Sequence, residues 1–153
     1  MTSPSPSGAA VLRHPVLEDA TAIFDLVDQC KPLDLNSHYL YLLQCSHFAP
    51  TCVVATLGGQ PVAWVSGYLP PGMPDTLFVW QVAVGEKARG QGMGAQLIEW
   101  LLARHAQVRR IHTSITPDNA ASWGLFKSLA RRWGSELTHR DWLGFLDLHM
   151  HYP

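Results

Sequence analysis

Residues 89–94, Arg-Gly-Gln-Gly-Met-Gly, combine a cation with three closely spaced glycines, a pattern suited to binding a phosphate group. They follow the strongly apolar segment 78–84 and precede a run from Ala95 in which apolar residues recur at helical spacing. Glycine lets the backbone approach a ligand closely, and the free N–H groups at the start of a helix attract an anion. We therefore predict an anion-binding loop between a central strand and a helix, with Arg89 adding positive charge.

Two other phosphate-binding patterns fit this segment less well. A P-loop needs Gly-Lys-Ser or Gly-Lys-Thr at its end, and neither occurs here. The dinucleotide fingerprint G-x-G-x-x-A is formally present at residues 90–95, but its strand should lead almost directly into it. Seven residues separate Val84 from Gly92, and the next predicted strand carries no acidic residue.

Other groups of reactive side chains give weaker signals. Asp147, His149 and His151 alternate along a predicted strand and so share one face, where they could ligate a metal ion. Such a row near a C-terminus is more typical of a solvated face, and we predict no metal. The cysteines at positions 30, 45 and 52 have no C-x-x-C spacing, so reduced, buried thiols are expected.

The composition limits the classes of protein to which the chain can belong. It has 153 residues, 47% of them hydrophobic and 15% charged, with a formal net charge of −1. The near-zero charge argues against a basic face for nucleic acid, and no run of about 18 apolar residues is present to span a membrane. Residues 1–10, with no signal-peptide pattern, are predicted to form a flexible arm before a single domain at residues 11–153.

The apolar patterns predict an α/β fold, with a mixed central sheet and helices on both faces. Segment 78–84 is apolar enough to be a central strand, and Gly58-Gly59 separates two runs that form a hairpin pattern. Strands are predicted at residues 11–13, 51–57, 60–69, 78–84, 111–115 and 146–152. Helices are predicted at 17–30, after Ser37, which could cap it, at 95–107 and at 120–131.

The glycine loop, in this order of elements, resembles motif A of the GNAT N-acetyltransferases, Arg89-x-x-Gly92-x-Gly94 after a Val-Ala-Val strand. The resemblance implies the GNAT fold and acetyl-CoA as co-substrate. It also implies that the loop binds the pyrophosphate and the strand binds the pantetheine arm. The residues concerned are Arg89, Gly90, Gln91, Gly92, Met93 and Gly94 in the loop, and Gln81, Val82 and Val84 in the strand.

A second segment, residues 119–126, is similar to the family's Asn-x-x-Ala-x-x-Leu-Tyr cofactor motif. The resemblance implies that Asn119 helps to fix the pantetheine, and Ser122 stands where a small residue is expected. Phe126 replaces the Tyr that protonates the leaving thiolate in many relatives. Another group or water must take that role, or the thiolate leaves unprotonated, which its reference pKa of about 8.5 makes tolerable.

Several longer strings resemble one branch of this family, the L-2,4-diaminobutyrate acetyltransferases of ectoine biosynthesis. They are residues 33–37, 45–48, 51–53, 65–68, 78–84 and 116–119. The resemblance implies acetyl transfer to the 4-amino group of diaminobutyrate by a cytoplasmic and usually dimeric enzyme. An acetyltransferase for another small amine or polyamine, and a non-catalytic acyl-CoA-binding module, remain as alternatives.

The same resemblance suggests which residues meet the amine. Asp34 is expected to hold the ammonium group, and a strand N–H, at Val82, to steady the oxyanion. Trp80 completes the predicted catalytic set. The residues expected to bind the acceptor are Asp34, Asn36, Tyr39, Tyr41, Trp80 and Thr116.

Simpler roles compete with several of these assignments. Asp34 or Asn36 could merely cap the second helix, and Trp80 could be a core residue. Tyr39 and Tyr41 cannot both face one way on a helix, so at least one of them is expected to pack.

The C-terminal segment departs from the family pattern. The family fold ends in two strands, whereas about 20 residues follow Trp133 here and only one strand is predicted among them. We therefore expect a short or truncated end, or a final strand supplied by a partner.

Overall fold

The computed structural model describes residues 10–31 and 33–153, so the predicted arm lies outside the described part except for Ala10. Seven strands form one sheet in the order β1-β2-β3-β4-β5-β7-β6, and only the β4–β5 pair is parallel. The strands are β1 (Val11–Arg13), β2 (Val53–Leu57), β3 (Gln60–Tyr68), β4 (Thr76–Val84), β5 (Arg110–Ile115), β6 (Thr138–Trp142) and β7 (Phe145–His151). The helices are α1 (Ala20–Asp28), α2 (His38–Gln44), α3 (Met93–Ala103) and α4 (Ala120–Arg132).

Helices cover both faces of the sheet, as predicted. One core joins α3 and α4 to the sheet through side chains such as Leu97, Leu101 and Phe126. The other joins α1 and α2 to β2, β3 and β4, with Tyr41 and Trp64 fully buried. Cys30, Cys45 and Cys52 lie in this second core as free thiols, which confirms their predicted burial. No helix in the described ranges is long and apolar enough to cross a membrane.

An irregularity in β4 opens the sheet at its centre. The pairing of β3 with β4 shifts between Ser66, opposite Gln81, and Gly67, opposite Val79, so Trp80 is an extra residue on β4. Strand β4 pairs with β5 only as far as Val79. Beyond that point the two parallel strands separate, and the carboxyl half of β4 borders a cleft.

The structure corrects the end of one predicted helix and the number of strands after α4. Helix α3 ends at Ala103 rather than near residue 107. The strand predicted at residues 146–152 is confirmed as β7, but the expectation that it is the only strand after α4 is wrong. Strand β6 forms a hairpin with it, and both strands come from this chain rather than from a partner. Strand β6 was not apparent in the sequence because all five of its residues are exposed and mostly polar, so they show no apolar alternation.

Candidate active site

Two adjoining clefts form one groove across the opened edge of β4. The first, of ≈ 310 Å³, lies between β4, β5, the loop at residues 33–36 and the start of α4. The second, of ≈ 390 Å³, lies between β4 and the glycine loop. The clefts share Leu33, Val82, Asn119 and Ser122 as walls. A long ligand can therefore reach from the glycine loop to the acceptor side of the sheet.

The glycine loop has the backbone geometry that anion binding requires. Gly90 and Gly92 have positive φ values of 79° and 69°, and Gly92 is the N-cap of α3. A Cβ at either glycine would meet nothing within 4 Å, so the loop leaves open space beside its backbone. The first N–H groups of α3 have no partner within the helix and are available to an anion.

Arg89 supplies the positive charge at this end of the groove. Its Nε donates a hydrogen bond to the carbonyl of Val84, at 3.2 Å, which fixes the exposed side chain beside the loop. The predicted loop residues line the second cleft except Gln91, whose amide donates to the Lys87 carbonyl at 3.5 Å.

Strand β4 presents alternate backbone groups to the groove. The Gln81 N–H donates to Ser66 Oγ at 3.2 Å, on the β3 side. Because neighbouring residues of a strand face opposite ways, the Val82 backbone faces the cleft. Among the described strands, none pairs with this edge of β4 beyond Val79. Val82 thus lies where a backbone donor is predicted. The Gln81 N–H is not available for the predicted cofactor contact because Ser66 already accepts from it, although Gln81 still lines the first cleft.

The Gln81 side chain instead holds in place the loop at residues 33–36, here called the acceptor loop. Its Nε2 donates to the Asp34 carbonyl at 2.8 Å, and its Oε1 accepts a hydrogen bond from the Tyr41 hydroxyl at 3.0 Å. The Asn36 N–H lies 3.5 Å from the same hydroxyl. Burial raises the pKa of Tyr41, which keeps this hydroxyl protonated as a donor. This network positions Asp34 and Asn36 on the wall of the first cleft.

The structure separates the two predicted tyrosines from the cleft. Tyr41 is fully buried and bonds to Gln81, while Tyr39 is 66% exposed, and neither side chain lines the groove. Their predicted contact with the acceptor is therefore corrected, and the expectation that one of them packs is confirmed. Ser37, not Asp34 or Asn36, caps α2 by accepting from the Leu40 N–H.

Val84 lines the second cleft, and the remaining predicted residues lie on the first, some in modified roles. Trp80 is 42% exposed and packs edge-on against Tyr68, so it is not a core residue. Asn119 Oδ1 accepts from the Ser122 N–H and caps α4, which leaves its Nδ2 to face a ligand. Thr116, Ser122 and Phe126 also line this cleft.

Sequence reasoning missed some of the cleft. Phe78, Ser114 and Phe145 lie on its wall. Phe145 reaches it from the C-terminal hairpin, which the sequence pattern did not show. The other two lie on predicted strands, Phe78 within the paired part of β4 and Ser114 on β5 beyond its pairing with β4.

Comparison with known proteins gives a consistent result. Residues 20–130 match the Acetyltransferase (GNAT) family. The L-2,4-diaminobutyric acid acetyltransferase of Chromohalobacter salexigens is 52% identical over 134 residues, which cover 86% of this chain and 70% of that protein. The protein of the same name from Halomonas elongata is 49% identical with the same coverage.

A solved structure extends the similarity to three dimensions. The diaminobutyrate acetyltransferase of Paenibacillus lautus, in complex with its substrate L-2,4-diaminobutyric acid and coenzyme A, matches with a TM-score of 0.86 and 32% identity. The match covers 95% of this chain and 96% of that chain.

Proposed function

This chain belongs to the acetyltransferase (GNAT) family, and we propose that it transfers the acetyl group of acetyl-CoA to the 4-amino group of L-2,4-diaminobutyrate. It is an acetyl-CoA-dependent N-acetyltransferase with the GNAT fold. The observation that carries the proposal is the continuous groove, in which an anion-binding loop with Arg89 adjoins a cleft whose wall includes Asp34.

The residues present fit acetyl-CoA at one end of this groove. The open space beside Gly90 and Gly92 and the N–H groups of α3 suit a pyrophosphate, with Arg89 as its counter-charge. We assign the amide-containing arm to the Val82 backbone and Asn119 Nδ2, both on the wall that the two clefts share. When bound, the co-substrate supplies a thioester activated for acyl transfer.

The acceptor end must handle an amine that is mostly protonated at neutral pH, since its reference pKa is near 10. Asp34 pairs with the ammonium group, and water or a carboxylate takes the proton before the nitrogen attacks. The Val82 N–H donates to the oxygen on which negative charge develops. Phe126 has no proton to give, so the leaving sulfur takes a proton from water or departs as thiolate.

We also propose that the enzyme works as a cytoplasmic homodimer in ectoine biosynthesis. Large apolar side chains remain exposed around the acceptor cleft and the C-terminal hairpin, which supports an interface between copies. They include Trp80, Trp142, Phe145 and Leu143, and Leu143 is 88% exposed. Gel filtration with light scattering tests this, and a monomer at working concentrations contradicts it. The small net charge supports small-molecule partners rather than nucleic acid.

Release of the CoA thiol with a panel of amines tests the activity. We expect turnover with diaminobutyrate to exceed that with ornithine, spermidine or a peptide amine. Asp34→Asn should damage use of the amine, while Asp25→Asn, on the exposed face of α1, serves as its matched control. Tight acetyl-CoA binding without turnover of any amine would leave only a binding module.

A further inference from the structure

Two histidines and one carboxylate converge on the sheet beside the first cleft, without lining it. His112 of β5 lies directly opposite His149 of β7 in the antiparallel pair. The Nε2 atom of His112 is 2.5 Å from Asp147 Oδ1, and that of His149 is 3.1 Å from Asp147 Oδ2. The sequence pattern suggested His151 as the third member of this group, and the structure replaces it with His112.

The three groups already have an arrangement that a metal ion can use. Their ligand atoms all lie within 4.8 Å of one another. In a tetrahedral zinc site, metal–ligand distances of about 2.0–2.1 Å put the ligand atoms about 3.3 Å apart. The two imidazole rings stack with centroids 4.0 Å apart, so both present Nε2 to the same carboxylate. Small side-chain movements therefore suffice to surround an ion.

Access and preorganisation also favour a ligand here. The Asp147 side chain is only 3% exposed, whereas those of His112 and His149 are 21% and 42% exposed. The carboxylate is thus held on the buried side of the cluster, and water can complete the coordination of an ion on the solvent-exposed side. Arg140 Nε donates to Asp147 Oδ2 at 2.9 Å, but its side chain is 72% exposed and free to turn outward.

We propose that His112, Asp147 and His149 form a binding site for a divalent transition-metal ion of the Zn²⁺ class, with water as the remaining ligand. Two imidazoles and one carboxylate suit Zn²⁺, Co²⁺ or Ni²⁺ rather than Mg²⁺ or Ca²⁺. Each Nε2 offers its lone pair, and the proton it donated to Asp147 moves to Nδ1 or to solvent. The ion cross-links β5 to β7 and replaces the Arg140 contact.

Calorimetric titration of ZnCl₂ into the tag-free, chelator-treated chain tests the site without reference to acetyl transfer. We expect one Zn²⁺ per chain, and no binding of Mg²⁺. His149→Gln should weaken the affinity for Zn²⁺ by about 100-fold or more, since even second-shell changes cost 10- to 100-fold. His139→Gln is the matched control, because His139 lies on the neighbouring strand and packs against Trp123 instead.

Arg140→Gln separates a metal site from a purely structural cluster. Loss of the competing cation should tighten Zn²⁺ binding by about threefold or more. Co²⁺ should give the visible absorption of a four-coordinate site in the wild-type chain. Absence of saturable Zn²⁺ binding, weaker binding in Arg140→Gln, or equal losses in His149→Gln and His139→Gln would overturn the proposal. His112→Gln repeats the test if His149→Gln does not fold by circular dichroism.

Discussion

Replacing Gln81 by Met removes the two hydrogen bonds that hold the acceptor loop against β4. Its Nε2 bond to the Asp34 carbonyl and its Oε1 bond from Tyr41 are both lost, while the side-chain volume is nearly kept. Gln81 is 7% exposed and Tyr41 is fully buried, so water cannot easily replace the second bond. We expect a less stable protein in which Asp34 is poorly positioned.

The size of the effect follows from what each substitution leaves unpaired. Tyr41→Phe loses the bond to Gln81 and the longer one from the Asn36 N–H, and it leaves the buried Gln81 Oε1 without a donor, which costs about 1–3 kcal/mol. Gln81→Met leaves the buried Tyr41 hydroxyl without an acceptor and the Asp34 carbonyl without a donor. The expected loss of unfolding free energy is therefore about 2–4 kcal/mol. In the double variant neither member of the buried Tyr41–Gln81 pair is left without its partner, and only the Asp34 carbonyl and the Asn36 N–H lose a contact. The two losses should therefore fall short of additivity by about 1–2 kcal/mol.

Two measurements check this reasoning. Urea denaturation of the four proteins in the cycle gives the coupling energy, with Gln60→Met, at the exposed start of β3, as control. Steady-state kinetics should show a raised KM for diaminobutyrate in Gln81→Met and an unchanged KM for acetyl-CoA. Strict additivity, or an unchanged KM for diaminobutyrate in a folded Gln81→Met protein, would refute the positioning role of Gln81.

Three further predictions concern the scaffold. Gly67→Ala places its Cβ 2.7 Å from the Phe78 carbonyl oxygen, and we expect a loss of about 1–3 kcal/mol in urea denaturation. Burial raises the pKa of Cys52 to about 12, so iodoacetamide should label this thiol slowly in the native protein and rapidly in urea; rapid native labelling would contradict its burial. The hydrogen bond from Arg13 lowers the pKa of Asp19, so its contribution to stability is present above pH ~3.8 and is lost as the pH falls through the lower folded value. Arg13→Gln should reduce that acid-side slope of unfolding free energy against pH, and an unchanged slope would count against the pair.

The sequence predicted best those parts of the fold that are built locally. The hairpin around Gly58-Gly59, the Ser37 cap and the glycine loop each depend on residues close together in the chain, and all three are present. Strand β6 depends instead on pairing with β7. Because its side chains are all exposed, its own apolar pattern carries no information about that pairing.

The candidate site likewise has one end built from residues close together in the chain and another end built from distant residues. The cofactor end comes mainly from residues 82–94, which are contiguous, so their spacing could be interpreted directly. The acceptor end joins Asp34, Trp80, Thr116 and Phe145, which only the open sheet brings together. The positioning role of Gln81 and Tyr41 was not predicted, because a hydrogen bond between residues 40 positions apart leaves no local pattern.

The enzyme can select its amine with elements that are largely separate from those that bind acetyl-CoA. The glycine loop and the acceptor cleft share only a few wall residues, and Asp34 reaches the cleft on a loop held chiefly by the Gln81 side chain. The acceptor loop and the hairpin with Phe145 can therefore change without disturbing the pyrophosphate site. Specificity among amines then resides in elements that contribute little to acetyl-CoA binding, so substitutions there should alter the KM for the amine alone.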